Sequence, residues 1–301
     1  MRPQDAVRLV ALGAIWGSSY FFIKVALESY TTIQIVGIRL LIGSLVMFAF
    51  MRLRKLSLPR GRGVWGNLLF MSVVGNVIPF LLITWGEESV TSSLTGILNS
   101  TTPLFTLLFA ALLIAEENLR PLRLAGIALG FVGVAVIVGT DIEGSEVTGQ
   151  IAIVVAAMTY GSAFVWARRH LAGHPALSLS AAQLTLSTAI MLVPTIVSLV
   201  TDPPTLSANE TLSLAALGAL GTGAAFALYY RLIADVGPTT ASFVTYLIPI
   251  FSVALGWFVL DERLGWNALV GAVLVIAGIA LAERSVVAQR RARAPASETS
   301  A

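Results

Sequence analysis

An apolar block of sequence that begins at Pro103 returns at Pro249, 146 residues later. The first copy reads PLFTLLFAALLIAEENLRPLRLAGIALGFVGVAVIV and the second reads PIFSVALGWFVLDERLGWNALVGAVLVIAGIAL. Gly75 and Gly221 keep the same spacing, so the repeat extends N-terminal to these blocks. Duplicated blocks of intramembrane helices are typical of secondary transporters, whose binding site lies between the two halves. The repeat therefore predicts a membrane protein built from two related halves.

Composition supports a membrane location independently. Hydrophobic residues make up 56% of the 301 positions and charged residues only 12%, whereas a typical soluble domain has about 25% charged residues. These values, with a mean hydropathy of +0.86, exclude a soluble protein and argue against nucleic acid as a partner. The net charge of +3 is expected to reflect basic patches that set membrane topology. Without cysteine, the chain can form neither disulfides nor thiolate metal sites.

Apolar runs of about 20 residues, the length that crosses a bilayer as a helix, occur ten times. The predicted spans are 7–27, 33–51, 66–86, 92–114, 122–139, 149–167, 178–200, 211–231, 238–260 and 266–283. They divide into five and five around the acidic connection from Thr140 to Thr148. Because five is odd, the second half would enter the membrane from the opposite face, as an inverted repeat. The fold class expected is an all-α membrane protein with ten helices around a central cavity.

The distribution of Lys and Arg predicts the orientation. Sixteen of the 19 basic residues fall at the termini and in the alternate loops that share their side, whereas the opposite loops hold Arg263 and most of the acidic residues. Loops rich in Lys and Arg are cytoplasmic, so both termini are predicted to be cytoplasmic, in a plasma membrane. The predicted domains are residues 6–140 and 149–284, followed by a disordered basic tail at 285–301.

Several motifs resemble the EamA family of the drug/metabolite transporter superfamily. They are the opening LGAIWGSSYFFIKVAL, Arg39 in the second span, the Pro103 and Pro249 helices with their acidic ends, and the paired glycines Gly126/Gly133 and Gly271/Gly278. The resemblance covers about residues 6–284. It implies ten helices around a central cavity, alternating access, and export of amino acids, other metabolites or drugs.

One departure from the repeat concerns the acidic turns. Glu262 follows Pro249 by 13 residues, whereas Glu117 follows Pro103 by 14. Glu116 and Glu117 therefore compete for the position equivalent to Glu262.

Two basic residues, Lys24 and Arg39, fall inside predicted spans. Charges in hydrocarbon pair with a partner, reach the interface or serve function. Lys24 is expected to anchor at the outer end of its helix, with Glu28 on the same face four residues later, or to act as a gate, with Arg168 as its repeat counterpart. Arg39, opposite Gln183 in the repeat, is expected to form an ion pair with Glu87 or Glu88, or to attract an anionic group of a solute.

Aromatic and amide side chains within the spans are the predicted contacts for a solute, since aromatic walls with a few polar tips suit amphipathic molecules. The predicted cavity residues are Trp16, Tyr20, Asn76, Asn99, Tyr160, Tyr230 and Tyr246. Asn76 alternatively bonds a neighbouring helix.

Helix bends are predicted at Pro103 and Pro249, with the hydroxyls before Pro103 satisfying the carbonyls that proline leaves free. The spacing of Gly126 and Gly130 permits close helix packing within the monomer, or dimerisation. The sequence is compatible with both a monomer and a homodimer.

No protease, hydrolase or nucleotide-binding motif occurs in the sequence, and no cofactor or metal site is expected. The prediction is a gradient-driven exporter of small amphipathic metabolites, with the lipid bilayer, a small solute and protons as partners. The alternatives are a transporter of nucleotide-sugars or other phosphorylated anions, in which Arg39 and Lys24 would be ligands, and a non-transporting membrane scaffold.

Overall fold

The computed structural model describes residues 2–113, 121–138, 145–236, 241 and 243–293. Within these ranges, the side chains of residues 145, 230, 234 and 283–293 are not described. The described residues form helices joined by short connections and contain no strand. The all-α class predicted from the sequence is therefore confirmed.

The helices follow the predicted spans closely. They are α1 (Pro3–Ala26), α2 (Thr32–Leu53), α3 (Arg62–Gly86), α4 (Ser92–Leu113), α5 (Pro121–Val138), α6 (Ser145–His170), α7 (Ala176–Thr201), α8 (Ala208–Ala216, Leu217–Ala224 and Ala225–Val236), α9 (Val244–Val259) and α10 (Trp266–Arg293). Eight helices in the described ranges are long and apolar enough to cross a membrane. Two shorter apolar helices, Val244–Val259 and Trp266–Ala282, occupy the places of the ninth and tenth predicted spans.

The tight connection between α1 and α2 depends on a capping box. The hydroxyl of Thr31 accepts from the backbone N–H of Gln34, and the Gln34 side chain accepts in return from the backbone N–H of Thr31. Gln34 also donates to the carbonyl oxygens of Ser198 and Asp202 at the end of α7. These bonds satisfy free groups at two helix termini at once and fix the start of α2 against the end of α7.

Two helices contain a π-helical segment at related positions. In α3 it is Val73–Val77 and in α8 it is Leu217–Ala224, which overlap when the repeat of 146 residues is applied. Such wide turns inside α-helices often occur at functional sites. Neither segment was predicted from the sequence.

The two repeated prolines have different effects on their helices. α4 is interrupted at Ser100 and Thr101, just before Pro103, whereas α9 runs through Pro249. The hydroxyls of Ser100, Thr101 and Thr102 donate to the carbonyls three residues earlier. The interruption thus lies just before Pro103, where the hydroxyls are bonded as the sequence suggested, and α9 is unbroken at Pro249. A bending role for the two prolines stays a prediction.

Contacts between helices follow the sequence repeat. The helix α1 packs on α8 and α9, and its repeat counterpart α6 packs on α3 and α4. The pair α2 and α8 corresponds likewise to the pair α7 and α3. Three further pairs join counterparts directly, namely α2 with α7, α4 with α9, and α5 with α10.

The pair α5 and α10 meets at glycines. A Cβ atom at Gly126 would lie 2.6 Å from the carbonyl oxygen of Gly278, and one at Gly133 would lie 2.7 Å from that of Gly271. Only a hydrogen atom fits at these crossings, as in other close contacts between membrane helices. Gly130 meets Leu104. The glycine face is thus used for packing within the chain.

The outer surface is apolar. Large hydrophobic side chains exposed along the helices include Leu45, Leu69, Val193, Val197, Leu212, Phe258 and Val273. Such a surface is suited to contact with lipid acyl chains rather than water. The last helix continues to Arg293, and so includes the first part of the segment 285–301 for which the sequence predicted disorder. Residues 294–301 lie outside the described part.

Candidate functional site

Arg39 lies at the centre of the bundle, on α2. Only 6% of its surface is exposed. Its Nε donates to the hydroxyl of Thr222 at 2.8 Å, and its guanidinium carbon lies 3.8 Å from the centroid of the Phe80 ring. Within the described ranges, no carboxylate lies at ion-pair distance from Arg39. The ion pair that the sequence suggested, with Glu87 or Glu88, is not formed.

Asn76 takes part in bonds between helices. Its Nδ2 donates to the hydroxyl of Ser187 at 3.0 Å, and its Oδ1 accepts from Nε2 of Gln183 at 3.0 Å. Gln183 donates as well to the carbonyl of Met71. Of the two roles suggested for Asn76, the contacts favour bonding between α3 and α7.

Tyr20 and Asn99 form a second polar contact in the interior. Asn99 is the last residue before the break in α4, and its Nδ2 donates to the Tyr20 hydroxyl at 2.7 Å. The Asn99 Oδ1 is buried and has no hydrogen-bond partner among the described residues. Tyr20 is also within electrostatic range of Arg39 and Glu87. Within the described residues, the Oδ1 of Asn99 is therefore an acceptor without a donor, close to the polar centre around Arg39.

Aromatic rings surround this centre in two groups. Tyr160 meets Phe80 edge-on at 6.5 Å and stacks with Phe164 at 6.3 Å between ring centroids. Trp16 contacts the rings of Phe226 and Tyr229, which are on α8. Aromatic faces of this kind can bind amphipathic solutes and cations.

Lys24 fastens the C-terminal end of α1 to a neighbouring turn. Its Nζ donates to the carbonyl oxygens of Glu87 at 2.7 Å and Val90 at 3.1 Å, in the turn between α3 and α4. The main-chain oxygens hold the ammonium group, which agrees with an anchoring role. The bonding partner is this turn rather than Glu28, which the helical spacing had suggested.

Glu87, the first residue after α3, is fully buried. Neither of its carboxylate oxygens has a hydrogen-bond partner in the part of the chain that is described. Burial raises the pKa of this carboxyl well above its ordinary range; nearby Lys24 lowers it, Glu262 raises it further and Arg39 lowers it. A buried carboxyl of this kind can exchange a proton.

Glu262 joins the two halves at the start of α4. Its carboxylate accepts from the backbone N–H groups of Ser92 at 2.8 Å and Ser93 at 2.9 Å, and also from both hydroxyls. Acceptors at a helix N-terminus satisfy free donors and interact well with the helix dipole. Sequence reasoning left this role unassigned, because the donors lie in the other half. Glu116 and Glu117 lie outside the described residues.

The remaining predicted site residues lie away from this centre. Glu88 is exposed and accepts from the Thr32 hydroxyl at 2.6 Å, beside a surface crevice of about 440 Å³. Arg168 is exposed near the end of α6. Tyr246 packs beside Phe243 on the α4 side of α9. The side chain of Tyr230 lies outside the described part of the chain.

Charged residues link α1 and α8 at the other end of the bundle. Asp5 accepts from Arg2 and Arg8, and Arg8 also donates to Asp235 at 2.7 Å. Asp235 further accepts from Arg231 one turn earlier. Together with the Lys24 bonds, these contacts fasten α1 at both of its ends.

Comparisons with known proteins agree with one another. A model described as the EamA-like transporter family matches residues 6–139 and 147–283. The uncharacterized inner membrane transporter YedA of Escherichia coli (strain K12) is 30% identical over 275 residues, covering 87% of this chain and 85% of that protein. A "Probable terminal-alkyne amino-acid exporter" of Streptantibioticus cattleyicolor is 25% identical over 292 residues and covers 97% of each chain. One crystal structure of a protein has the same fold, with a TM-score of 0.64 at 21% identity over 92% of this chain and 98% of that chain.

Proposed function

Because the chain belongs to the EamA-like transporter family, we propose that this multi-pass membrane protein is a gradient-driven exporter of small amphipathic metabolites such as amino acids. The observation that carries the proposal is the polar and aromatic centre around Arg39, whose side chain contacts Thr222 of the second half and Phe80 of the first. Secondary transporters bind their solutes at such places, between repeats and near the middle of the membrane.

The proposed topology is ten spans in two inverted five-helix repeats, with both termini in the cytoplasm. The exchange of helix contacts between the halves supports a two-fold relation. The clustering of Lys and Arg in alternate loops supports the orientation. The proposed location is the plasma membrane.

Alternating access needs contacts that open at one end while the other end stays closed. The proposed cytoplasmic contact is the pair Arg8 and Asp235, and the proposed outer contacts are those of Lys24 and Glu262. The break at Pro103 supports a bending role for α4. Glu87 is the proposed site of proton exchange, since its carboxyl is buried without a partner among the described residues.

The proposed solute contacts are Trp16, Tyr20, Asn99 and Tyr160. Amino acids are favoured as solutes because the aromatic rings suit an apolar side chain and because one relative is named as an amino-acid exporter. The charge of Arg39, which has no acidic partner among the described residues, keeps a phosphorylated anion as the second candidate. The polar groups of the centre count against a scaffold without transport.

The test is flux through proteoliposomes that contain the purified protein. Labelled amino acids would be loaded as a pool, with and without an imposed pH gradient, and compared with empty liposomes. We expect saturable flux that depends on the gradient, and a lower rate for Asn99→Leu than for Glu88→Gln, which changes an exposed side chain. Folded protein without saturable flux for any amino acid would reject this solute class.

A further inference from the structure

Arg39 has hydrogen-bond donors that find no acceptor among the described residues. The side chain of an arginine offers five N–H groups, and within the described ranges only Nε has an acceptor, the hydroxyl of Thr222. Among the described residues, neither terminal nitrogen of Arg39 donates to the protein. Buried arginines are usually paired or fully bonded, because an uncompensated charge in a membrane is costly. The free donors therefore need an explanation.

The contacts of Arg39 fix the direction of its free edge. Thr222 holds Nε, and the guanidinium carbon lies 3.8 Å from the centroid of the Phe80 ring. Because one edge and one face of the guanidinium group are occupied, its two terminal nitrogens are held in place before any ligand binds. These two nitrogens form a planar pair of donors, called the fork below. Tyr20, Tyr160 and Glu87 lie within electrostatic range, but none of them bonds to the fork.

A planar fork with two parallel donors matches a carboxylate, which can accept both bonds side by side. We propose that the terminal nitrogens of Arg39 bind the carboxylate of the transported solute. This inference rests on the proposed function and narrows the solute class to carboxylic acids such as amino acids. Carboxylate binding explains why a buried arginine has no acidic partner among the described residues: the solute supplies the negative charge in each cycle.

The repeat provides a natural control for this role. Gln183 occupies the position that matches Arg39 in the other half, and its Nε2 donates to Asn76 and to the carbonyl of Met71. A change at Gln183 disturbs an equivalent contact between helices without removing the charge. Gln183→Met should therefore retain any preference for a carboxylate.

The first experiment compares solutes on the wild-type protein. Phenylalanine, phenylalaninamide and phenyl phosphate would each compete against labelled phenylalanine in proteoliposomes, and each would be tested for thermal stabilisation of the purified protein. Loss of a charge-assisted bond pair corresponds to about 10- to 100-fold weaker binding. We expect the amide to bind more weakly than the acid by that factor in competition, and to need a correspondingly higher concentration for the same thermal stabilisation.

The second experiment assigns the effect to Arg39. In Arg39→Gln the acid and the amide should become equal within about twofold, Arg39→Lys should be intermediate because lysine lacks the fork, and Gln183→Met should behave as wild type. Equal binding of acid and amide by the wild type, or an acid preference that survives in Arg39→Gln, would overturn the inference. Stronger binding of phenyl phosphate would assign the site to phosphorylated anions instead.

Failure of the two proposals can be told apart. A protein that shows no saturable flux, yet is stabilised by the acid more than by the amide, would contradict the proposed export while retaining the Arg39 site. Flux without any difference between acid and amide would retain transport and remove the site. If Arg39→Gln does not fold, equal binding of acid and amide by the wild type would still overturn the inference, and Arg39→Lys would test the assignment to Arg39.

Discussion

Thr222 accepts from Arg39 the same hydrogen bond that Asn76, 146 residues earlier, accepts from Gln183. Both acceptors lie in the π-helical segments of their helices, and both donors lie on the helices that pack against them. The bond has been kept in both halves although the donor is charged in one and neutral in the other. The two halves thus share this hydrogen bond between helices, and the donor in the first half, Arg39, adds a positive charge to the centre.

The first prediction concerns the Thr222 hydroxyl. Thr222→Val has nearly the same shape but leaves Nε of Arg39 without its acceptor, so we expect a loss of about 1 to 2 kcal/mol in the free energy of unfolding. Thr222→Ser keeps the hydroxyl and should lose less than half of that. Unfolding of both variants in the same detergent would measure the difference. Equal losses would mean that packing, rather than the bond, matters at this position.

The second prediction concerns the crossing of α5 and α10. Gly126→Val places a Cβ atom 2.6 Å from the carbonyl oxygen of Gly278, and the substitution should cost about 1 to 3 kcal/mol by overpacking. Gly66→Val is the control, because a Cβ atom at Gly66 meets nothing within 4 Å. Thermal denaturation followed by size-exclusion chromatography would compare them. If Gly126→Val were as stable as the control, α5 and α10 would not pack this closely.

The third prediction concerns Glu87 and pH. Because burial raises the pKa of its carboxyl from the ordinary value of 4.5, the folded protein holds this proton at pH values where the unfolded chain has released it. Stability should therefore fall as pH rises from about 4.5 towards the raised pKa of the folded state. Glu87→Gln cannot ionise and should lack this part of the pH dependence.

The control for Glu87 is its neighbour. Glu88→Gln changes an exposed carboxyl and should keep the wild-type dependence. The charged or titratable groups that interact with Glu87 are Lys24, Arg39, Glu262 and Tyr20. Because each of these groups can also contribute to the pH dependence, the melting temperatures of Glu87→Gln and Glu88→Gln should be compared across pH first. Parallel curves for Glu87→Gln and wild type would show that another group carries the dependence.

The fourth prediction concerns the ion pair of Arg8 and Asp235. Both side chains are about one quarter exposed, and exposed ion pairs contribute roughly 0.2 to 1 kcal/mol. A double-mutant cycle with Arg8→Gln and Asp235→Asn should give a coupling energy in that range, decreasing with added salt. A coupling above about 2 kcal/mol would identify a permanent lock instead of a contact that opens in each cycle.

Much of the framework could be predicted from the sequence because it depends on local patterns. The length of apolar runs gave the helices, and the spacing of Gly126, Gly133, Gly271 and Gly278 indicated close packing that the structure places between α5 and α10. The hydroxyls before Pro103 could be assigned to carbonyls because those bonds span three residues.

The partners of the charged side chains could not be predicted in the same way. Glu262 bonds residues 170 positions away, and Lys24 bonds carbonyl oxygens of a turn more than 60 positions away. Any main-chain oxygen can serve as an acceptor, so sequence reasoning looked for acidic partners and suggested Glu28 for Lys24. The lack of an acidic partner for Arg39 among the described residues was missed for the same reason, since the order of the helices suggested Glu87 and Glu88.

The interruption of α4 at Ser100 and Thr101 has a consequence for motion. A helix that bends within hydrocarbon ordinarily exposes carbonyl groups that nothing can solvate. Here the hydroxyls of Ser100 and Thr101 bond to carbonyls of the first part of the helix, and the hydroxyl of Thr102 bonds to the carbonyl of Asn99 across the interruption. A change of angle between the two parts of α4 would therefore leave the oxygens of Ile97 and Leu98 covered, and only the bond from Thr102 to Asn99 would have to adjust.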